Sequence, residues 1–255
     1  MKNHFIYAYS GNKRTECPTI YEEVKDIFIN KNIDTIIEPY CGSSAFSFYM
    51  ANLHPKKYKY ILNDNDKYLI ELYKIIKDKK KRKEFERKIN EEAQKIINKE
   101  AYTAMCKKDC LESYYLKHKI YTIRPGLYRL DYKYKEIKID DSPIIKFLET
   151  ENIKFFNDDA LNIFNKYKDN EKAFIFLDPP YLALCNDFYE NKNVNIYEYL
   201  YKNKINEMKA SIILVLEKMW IIELLFSAYK IKEYSKRYET TKKNTTHIII
   251  LNDLK

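Results

Sequence analysis

Short apolar runs of strand length stand at Thr35–Ile37, Tyr60–Leu62, Ile153–Phe156, Ala173–Leu177, Ser211–Leu216 and His247–Leu251. Segments with helical spacing of apolar residues lie between several of them. Strands alternating with helices predict a mostly parallel, doubly wound α/β sheet, in which the late final run suits an antiparallel edge strand. The alternation breaks from about Glu71 to Thr150, where the chain becomes highly charged and helical and then loop-like around YTIRPGLYRLDYKYK. The pattern therefore predicts a discontinuous sheet domain, residues 1–70 and 151–255, with a mainly helical insertion at 71–150.

One run ends abruptly. In FIFLDPPYLA (174–183) an apolar strand meets an acid, two prolines and a tyrosine. Neither proline can donate a backbone hydrogen bond, and each restricts the residue before it, so the ladder stops and the chain stiffens. Open α/β sheets usually place their chemistry at the carboxyl end of a buried strand.

A second strand leads into DTIIEPYCGSSAF (34–46), which reads as a strand, a turn with Gly42, and a helix beginning in small residues. Such a turn brings backbone amides close to a ligand, and the helix N-terminus adds partial positive charge. In YILNDND (60–66), Asp64 follows the next apolar run, 22 residues after Gly42. That spacing is close to the one at which nucleotide-binding βαβ units place the acid for ribose hydroxyls. A plain turn-forming role for Asp64 or Asp66 is the alternative.

The formal net charge is +9, which favours a polyanionic partner. Residues 71–150 hold 21 Lys and Arg against 14 Asp and Glu, so seven of the nine net charges sit in the insertion. Its most basic run, KDKKKRK (77–83), reads as a solvated helix face that attracts phosphate non-specifically at most. Lys, Asn, Ile and Tyr are abundant and Gly occurs three times, as an A/T-rich coding sequence gives, so the 25 tyrosines are mostly not a stacking surface. Five cysteines without CxxC spacing predict neither a disulfide framework nor a zinc site, and a reducing cytosol is the expected compartment. No apolar run reaches the roughly 18 residues of a membrane span, and the first ten residues lack a signal peptide's apolar stretch.

Taken in order, four separated stretches resemble the Dam-type DNA adenine methyltransferases. YSGNKR (9–14) is similar to the family's N-terminal aromatic-glycine-lysine motif, EPYCGSSAF (38–46) to its cofactor loop, LNDND (62–66) to its acidic strand end and DPPY (178–181) to its catalytic motif. NDDAL (157–161) sits where the family has the acid that meets the cofactor's adenine, which makes Asp159 the matching residue. The resemblance implies a Rossmann-like methyltransferase sheet with an inserted target-recognition domain. It also implies S-adenosyl-L-methionine as cofactor, double-stranded DNA as partner and an intracellular enzyme. By the same resemblance Tyr9, Ser10, Gly11, Lys13, Glu38, Pro39, Cys41, Gly42, Ser43, Ser44, Asp64 and Asp159 are cofactor-site residues. Two positions depart from the family. Ser44 stands where a second glycine is usual, and its bulk is expected to weaken cofactor affinity; Ala8 stands where a lysine often precedes the aromatic, which leaves the recognised sequence open.

Adenine's 6-amino group is a poor nucleophile because its lone pair is delocalised into the ring. Acceptors for both amine hydrogens favour rehybridisation. Asp178 supplies a carboxylate, Pro179 a carbonyl, and Pro180 helps to hold both in place; Tyr181 offers an aromatic face to a base that has left its duplex. In the insertion GLYRLD (126–131) resembles a family recognition segment, which makes Arg129 a candidate guanine reader, with a phosphate contact or a surface salt bridge as the alternatives. Arg124, Lys133 and Lys135 lie in the same basic, tyrosine-rich stretch and complete the expected DNA-contacting set. Methylation of RNA, or a degenerate fold that only binds nucleic acid, stays open, as does a companion restriction nuclease. His247 reads as an ordinary edge-strand histidine without a partner, Trp220 as core or pocket wall, and Cys41 as a thiol without an activator.

Overall fold

The computed structural model describes residues 4–9, 11–121, 125–181, 196–237 and 244–254, which fall into two compact units. One comprises Lys13–Asp66 and Glu151–Lys255, the other Met1–Asn12 and Lys67–Thr150.

The first unit is built on a seven-stranded sheet. In chain order it contains α1 (Cys17–Asn30), β1 (Thr35–Glu38), α2 (Ala45–Leu53) and β2 (Lys59–Asn63) before the interruption. After it come β3 (Asn152–Phe156), α8 (Ala160–Tyr167), β4 (Ala173–Leu177), α9 (Ile196–Lys202), β5 (Ser211–Glu217), α10 (Trp220–Leu225), β6 (Tyr229–Arg237) and β7 (Asn244–Leu254). The strand order is β3-β2-β1-β4-β5-β7-β6. β3 to β5 are parallel, whereas β7 runs antiparallel to β5 and β6 antiparallel to β7. All six apolar runs of the sequence become strands of this doubly wound α/β sheet.

β4 shows why the sheet holds. Every one of its residues is buried. Phe174 and Phe176 point to one face, where Phe174 lies 4.5 Å from Phe28 of α1 and Phe176 stacks 4.5 Å from Phe46 of α2, ring centre to ring centre. Ile175 and Leu177 point to the other, among Phe164 of α8, Ile212 and Leu214 of β5, and Phe226. A strand covered on both faces reads as a continuous apolar run, which is how AFIFL differs from a half-exposed strand.

The strand that the pattern does not predict is β6, because YKIKEYSKR carries charge at 230, 232, 233, 236 and 237. β6 takes the sheet edge, so β7 is antiparallel as expected but interior.

The other unit contains α3 (Lys67–Lys77), α4 (Lys79–Gln94), α5 (Lys99–Cys106), α6 (Leu111–Lys119) and α7 (Ile144–Thr150). It also takes in the start of the chain, which the sequence pattern joins to the sheet. Phe5 and Tyr7 are buried, with Phe5 5.4 Å from Tyr73 and Tyr7 6.0 Å from Tyr115 between ring centres. The His4 carbonyl accepts from both Ile144 N and Ser142 Oγ at 3.0 Å. Most of the KDKKKRK run is solvated, as expected, with Asp78 capping α4 through the Lys80 and Lys81 amides. Arg82 is the exception: it is buried, pairs with Asp140 and with Glu149 at 2.8 Å, and donates to the Ile76 carbonyl at 2.6 Å.

Candidate active site

Chain order along the sheet reverses between β1 and β4, since β2 and β3 extend one way and β5 the other. A crevice outside the carboxyl ends of the strands opens at such a reversal. Glu38, Pro39 and Tyr40 leave β1 there, and Asp178, Pro179, Pro180 and Tyr181 leave β4. The Asp178 carboxylate, 19 % exposed, receives the Lys13 ammonium at 2.8 Å. Burial raises the Asp178 pKa, and the neighbouring Lys13 charge works against that rise. Lys13 also lies 5.1 Å from the centre of the Tyr181 ring, a cation–π distance. The Pro180 carbonyl accepts from Tyr197 Oη at 2.9 Å, which anchors the second proline.

The cofactor-loop residues are held by an interlocking set of backbone bonds. Glu38, buried, accepts from Ser47 N at 2.8 Å and so satisfies a first-turn amide of α2. Burial pushes its carboxyl up to about 7. Ser44 is the N-cap of α2 but makes no side-chain capping bond, and its φ of +47° is left-handed. The backbone conformation explains why glycine suits this position: a Cβ is strained there. Gly42 also has a φ of +47°, and its amide donates to Asp64 Oδ2 at 2.9 Å. Asp64 Oδ1 accepts from Asp66 N at 3.1 Å, so the turn-forming role and the contact to the glycine loop coexist in one carboxylate. Burial pushes that carboxyl up to about 6. Ser43 and Cys41 are buried, and burial raises the Cys41 thiol so that it stays protonated.

Asn63 is a residue that the sequence does not single out. Fully buried, it donates to the Pro39 carbonyl at 2.9 Å and the Asp158 carbonyl at 3.0 Å, and accepts from Asp158 N at 3.0 Å. One amide thus ties the ends of β1, β2 and β3 together. Asp159 is exposed and caps α8 through Leu161 N at 2.7 Å. Tyr40 is a second missed residue: burial, then the charges of Asp159 and Asp64, raise its phenol.

Tyr9 and Gly11 belong to the helical unit, where Tyr9 stacks 6.2 Å from Tyr7 and Gly11 has a φ of +78°. Ser10 and Arg124 lie outside the described residues. Arg129 is exposed and forks onto Asp131 at 2.8 and 3.1 Å; Lys133 and Lys135 are exposed. Two expectations are corrected. His247 is fully buried and its strand is interior, since β6 takes the edge; its ring lies against Tyr181 and Tyr234, and its Nδ1 is 3.3 Å from Glu16 Oε2. Trp220 is 74 % exposed at the start of α10, where Ile222 turns inward instead. Among the described residues no group of His, Cys, Asp and Glu is arranged to hold a metal ion, and no helix is long and apolar enough to cross a membrane.

A sheet reversal carrying an Asp-Pro-Pro-Tyr turn beside an acid-bearing glycine loop is an α/β site of the kind that the resemblance to methyltransferases implies. Residues 9–240 match the D12 class N6 adenine-specific DNA methyltransferases, and the chain belongs to that family: it is a DNA adenine methyltransferase. It is 27 % identical over 269 residues to the Type II methyltransferase M.MjaIII of Methanocaldococcus jannaschii, covering 91 % of this chain and 86 % of that protein. A precorrin-6y C5,15-methyltransferase structure from Geobacter metallireducens aligns over 90 % of this chain and 87 % of that one, with 10 % identity and a TM-score of 0.38, too loose a likeness to carry weight.

Proposed function

We propose that the protein methylates the 6-amino group of an adenine swung out of double-stranded DNA, with S-adenosylmethionine as methyl donor. The observation that carries this reading is the Asp178 carboxylate, set on a two-proline turn at the sheet reversal and held by Lys13 at 2.8 Å. Burial alone favours a neutral acid, which is a poor acceptor; the ammonium beside it favours the carboxylate. Asp178 then accepts one hydrogen of the amine and the Pro179 carbonyl the other, so that the lone pair localises on the attacking nitrogen. Tyr181 packs against the base from the same turn.

The residues at the crevice fit the proposed cofactor. The Asp64 carboxylate offers an acceptor for ribose hydroxyls, Gly42 allows close approach, and Asp159 and Tyr40 stand at the adjoining strand ends. When bound, that cofactor supplies an electrophilic methyl group on a sulfonium. Glu38, Pro39, Cys41, Ser43 and Ser44 shape the loop by their backbone and packing. Arg129, Lys133 and Lys135 serve DNA binding from the exposed, irregular stretch of the helical unit, with Arg129 released from Asp131 on contact. A place in a restriction–modification pair is the setting that the Type II relative supports.

The test is incubation with methyl-labelled cofactor and separate DNA, RNA and protein acceptors, for the wild type and for Asp178→Ala. Label is expected in DNA adenine with the wild type alone, while the variant still binds cofactor and DNA. Label confined to RNA or protein overturns the substrate; wild-type turnover by Asp178→Ala overturns the mechanism.

A further inference from the structure

Beside the Lys13–Asp178 pair lies a group of polar side chains, Glu16 and His247 buried and Tyr234 and Lys236 partly so, whose members come from opposite ends of the sequence. Glu16, 4 % exposed, stands at the start of α1, yet its carboxylate makes no capping bond to that helix. It reaches the sheet instead. Oε1 meets Lys236 Nζ at 2.6 Å, and Oε2 accepts from Tyr234 Oη at 2.6 Å and lies 3.3 Å from His247 Nδ1. Tyr234 and His247 are directly opposite one another on β6 and β7. Burial alone raises the Glu16 carboxyl, but the His247 contact and the Lys13 and Lys236 charges prevail and hold it down at about 2.

The backbone connects this carboxylate to the acceptor. Glu16 N and Cys17 N both donate to the Lys13 carbonyl at 2.9 Å, so residues 13–16 form one turn with Lys13 at its head and Glu16 at its foot. On the other side, His247 Nδ1 lies 3.5 Å from Tyr181 Oη, and the two rings meet edge to face at 5.6 Å. The cluster therefore reaches both Asp178, through the Lys13 turn, and Tyr181, through His247. A buried ion pair carries a desolvation cost that often cancels its attraction, so stability by itself is a weak reason for this arrangement.

We propose that Glu16 is a positioning residue for methyl transfer: anchored on β6 and β7, it fixes the turn that seats Lys13 against Asp178. Glu16 acts through Lys13 and touches no reacting atom. The inference rests on the assignment of Asp178 as the acceptor, and the experiment separates the two.

Single-turnover methylation of DNA is measured for the wild type, Glu16→Gln, Lys13→Met and the double variant, with KM, cofactor affinity and thermal melting alongside. Glutamine keeps an acceptor for Tyr234 and removes the charge. Glu16→Gln is expected to lower the rate at least tenfold with KM values within about threefold of wild type. In the Lys13→Met background the same change is expected to cost less than threefold, because the element it acts through is gone. A rate within threefold of wild type for either single variant, or losses that multiply in the double variant, overturns the proposal; a merely structural Glu16 gives the multiplied result. If Glu16→Gln does not fold, Tyr234→Phe is put through the same cycle, with the same coupling expected and independent losses decisive against it. Asp178→Ala is run in parallel: full activity there removes the active-site reading, whereas an inactive Asp178→Ala beside a fully active Glu16→Gln removes only this inference.

Discussion

The Gly42 amide donates to the Asp64 carboxylate at 2.9 Å across 22 residues of chain, so the turn after β1 and the end of β2 form a single edge. The bond restrains the loop, and the same carboxylate faces the proposed ribose site. Losing a hydrogen bond to a charged group costs about 1.5–3 kcal/mol. Asp64→Asn is therefore expected to weaken S-adenosylmethionine binding at least tenfold. Because burial sets the carboxyl at about 6, wild-type affinity is expected to fall as pH drops through that value, and the variant to lose the dependence. Calorimetry at pH 5 and pH 8 checks both; equal wild-type affinities at the two pH values would remove Asp64 from the site.

Glu38 predicts a pH dependence of stability. Its folded value of about 7 lies above the ordinary 4.5, so the folded protein holds this proton more tightly than the unfolded chain does. The favourable contribution is complete below pH 4.5 and lost as pH rises to 7. At about 1.4 kcal/mol per pH unit, the loss across that window is about 3 kcal/mol. Glu38→Gln keeps an acceptor for the Ser47 amide and abolishes the titration. Urea unfolding is expected to find it about 1–3 kcal/mol more stable than wild type at pH 8, with the difference shrinking towards pH 5. A variant less stable than wild type at pH 8 contradicts this account.

Ser44 carries left-handed strain of about 1–2 kcal/mol, which glycine relieves. Glycine also gives the unfolded chain about 0.4–1 kcal/mol of additional entropy. Ser44→Gly is expected to leave stability unchanged or raise it by about 1 kcal/mol and to keep or tighten cofactor binding. Destabilisation beyond about 1 kcal/mol would mean that the buried hydroxyl contributes more than the strain removes.

Arg129 offers two distinguishable outcomes. As a guanine reader, its replacement by Ala lowers affinity roughly 5- to 150-fold on the preferred site and little on unrelated DNA. As a phosphate contact, its loss weakens all sequences alike and reduces the salt slope by about one. Base reading is the expected result, checked with a panel of single-base variants at several salt concentrations and Lys133→Ala as the phosphate-contact control.

What the sequence makes legible is local. Asp178 and its prolines, the Gly42 turn and the β4 run carry their signals within a few residues, and the parallel strands follow from short apolar stretches, unbroken in β4 and interrupted by Lys154 in β3. What it hides depends on pairing over distance. Lys13 meets Asp178 across 165 residues, and nothing near either one marks the other. His247 looks partnerless in KKNTTHIIILN because its neighbours arrive on α1 and on β6, a strand whose lysines conceal it. Arg82 sits in a run of surface lysines and is told apart only by Asp140 and Glu149, which fold back onto it from around α7.

The helical unit is assembled from two separate pieces of chain, and this matters for anyone wishing to graft it. Residues 67–150 look like a cassette that could be cut out at two points and exchanged for that of a relative. Phe5 and Tyr7 make that a poor excision. Their rings pack against Tyr73 and Tyr115, and the His4 carbonyl ties down the approach to α7. A chimera exchanging 67–150 alone would set a foreign scaffold against a native first strap, whereas one that also carries residues 1–12 of the same parent keeps its aromatic contacts intact. The unit of transplantation is defined by three cuts, after 12, 66 and 150.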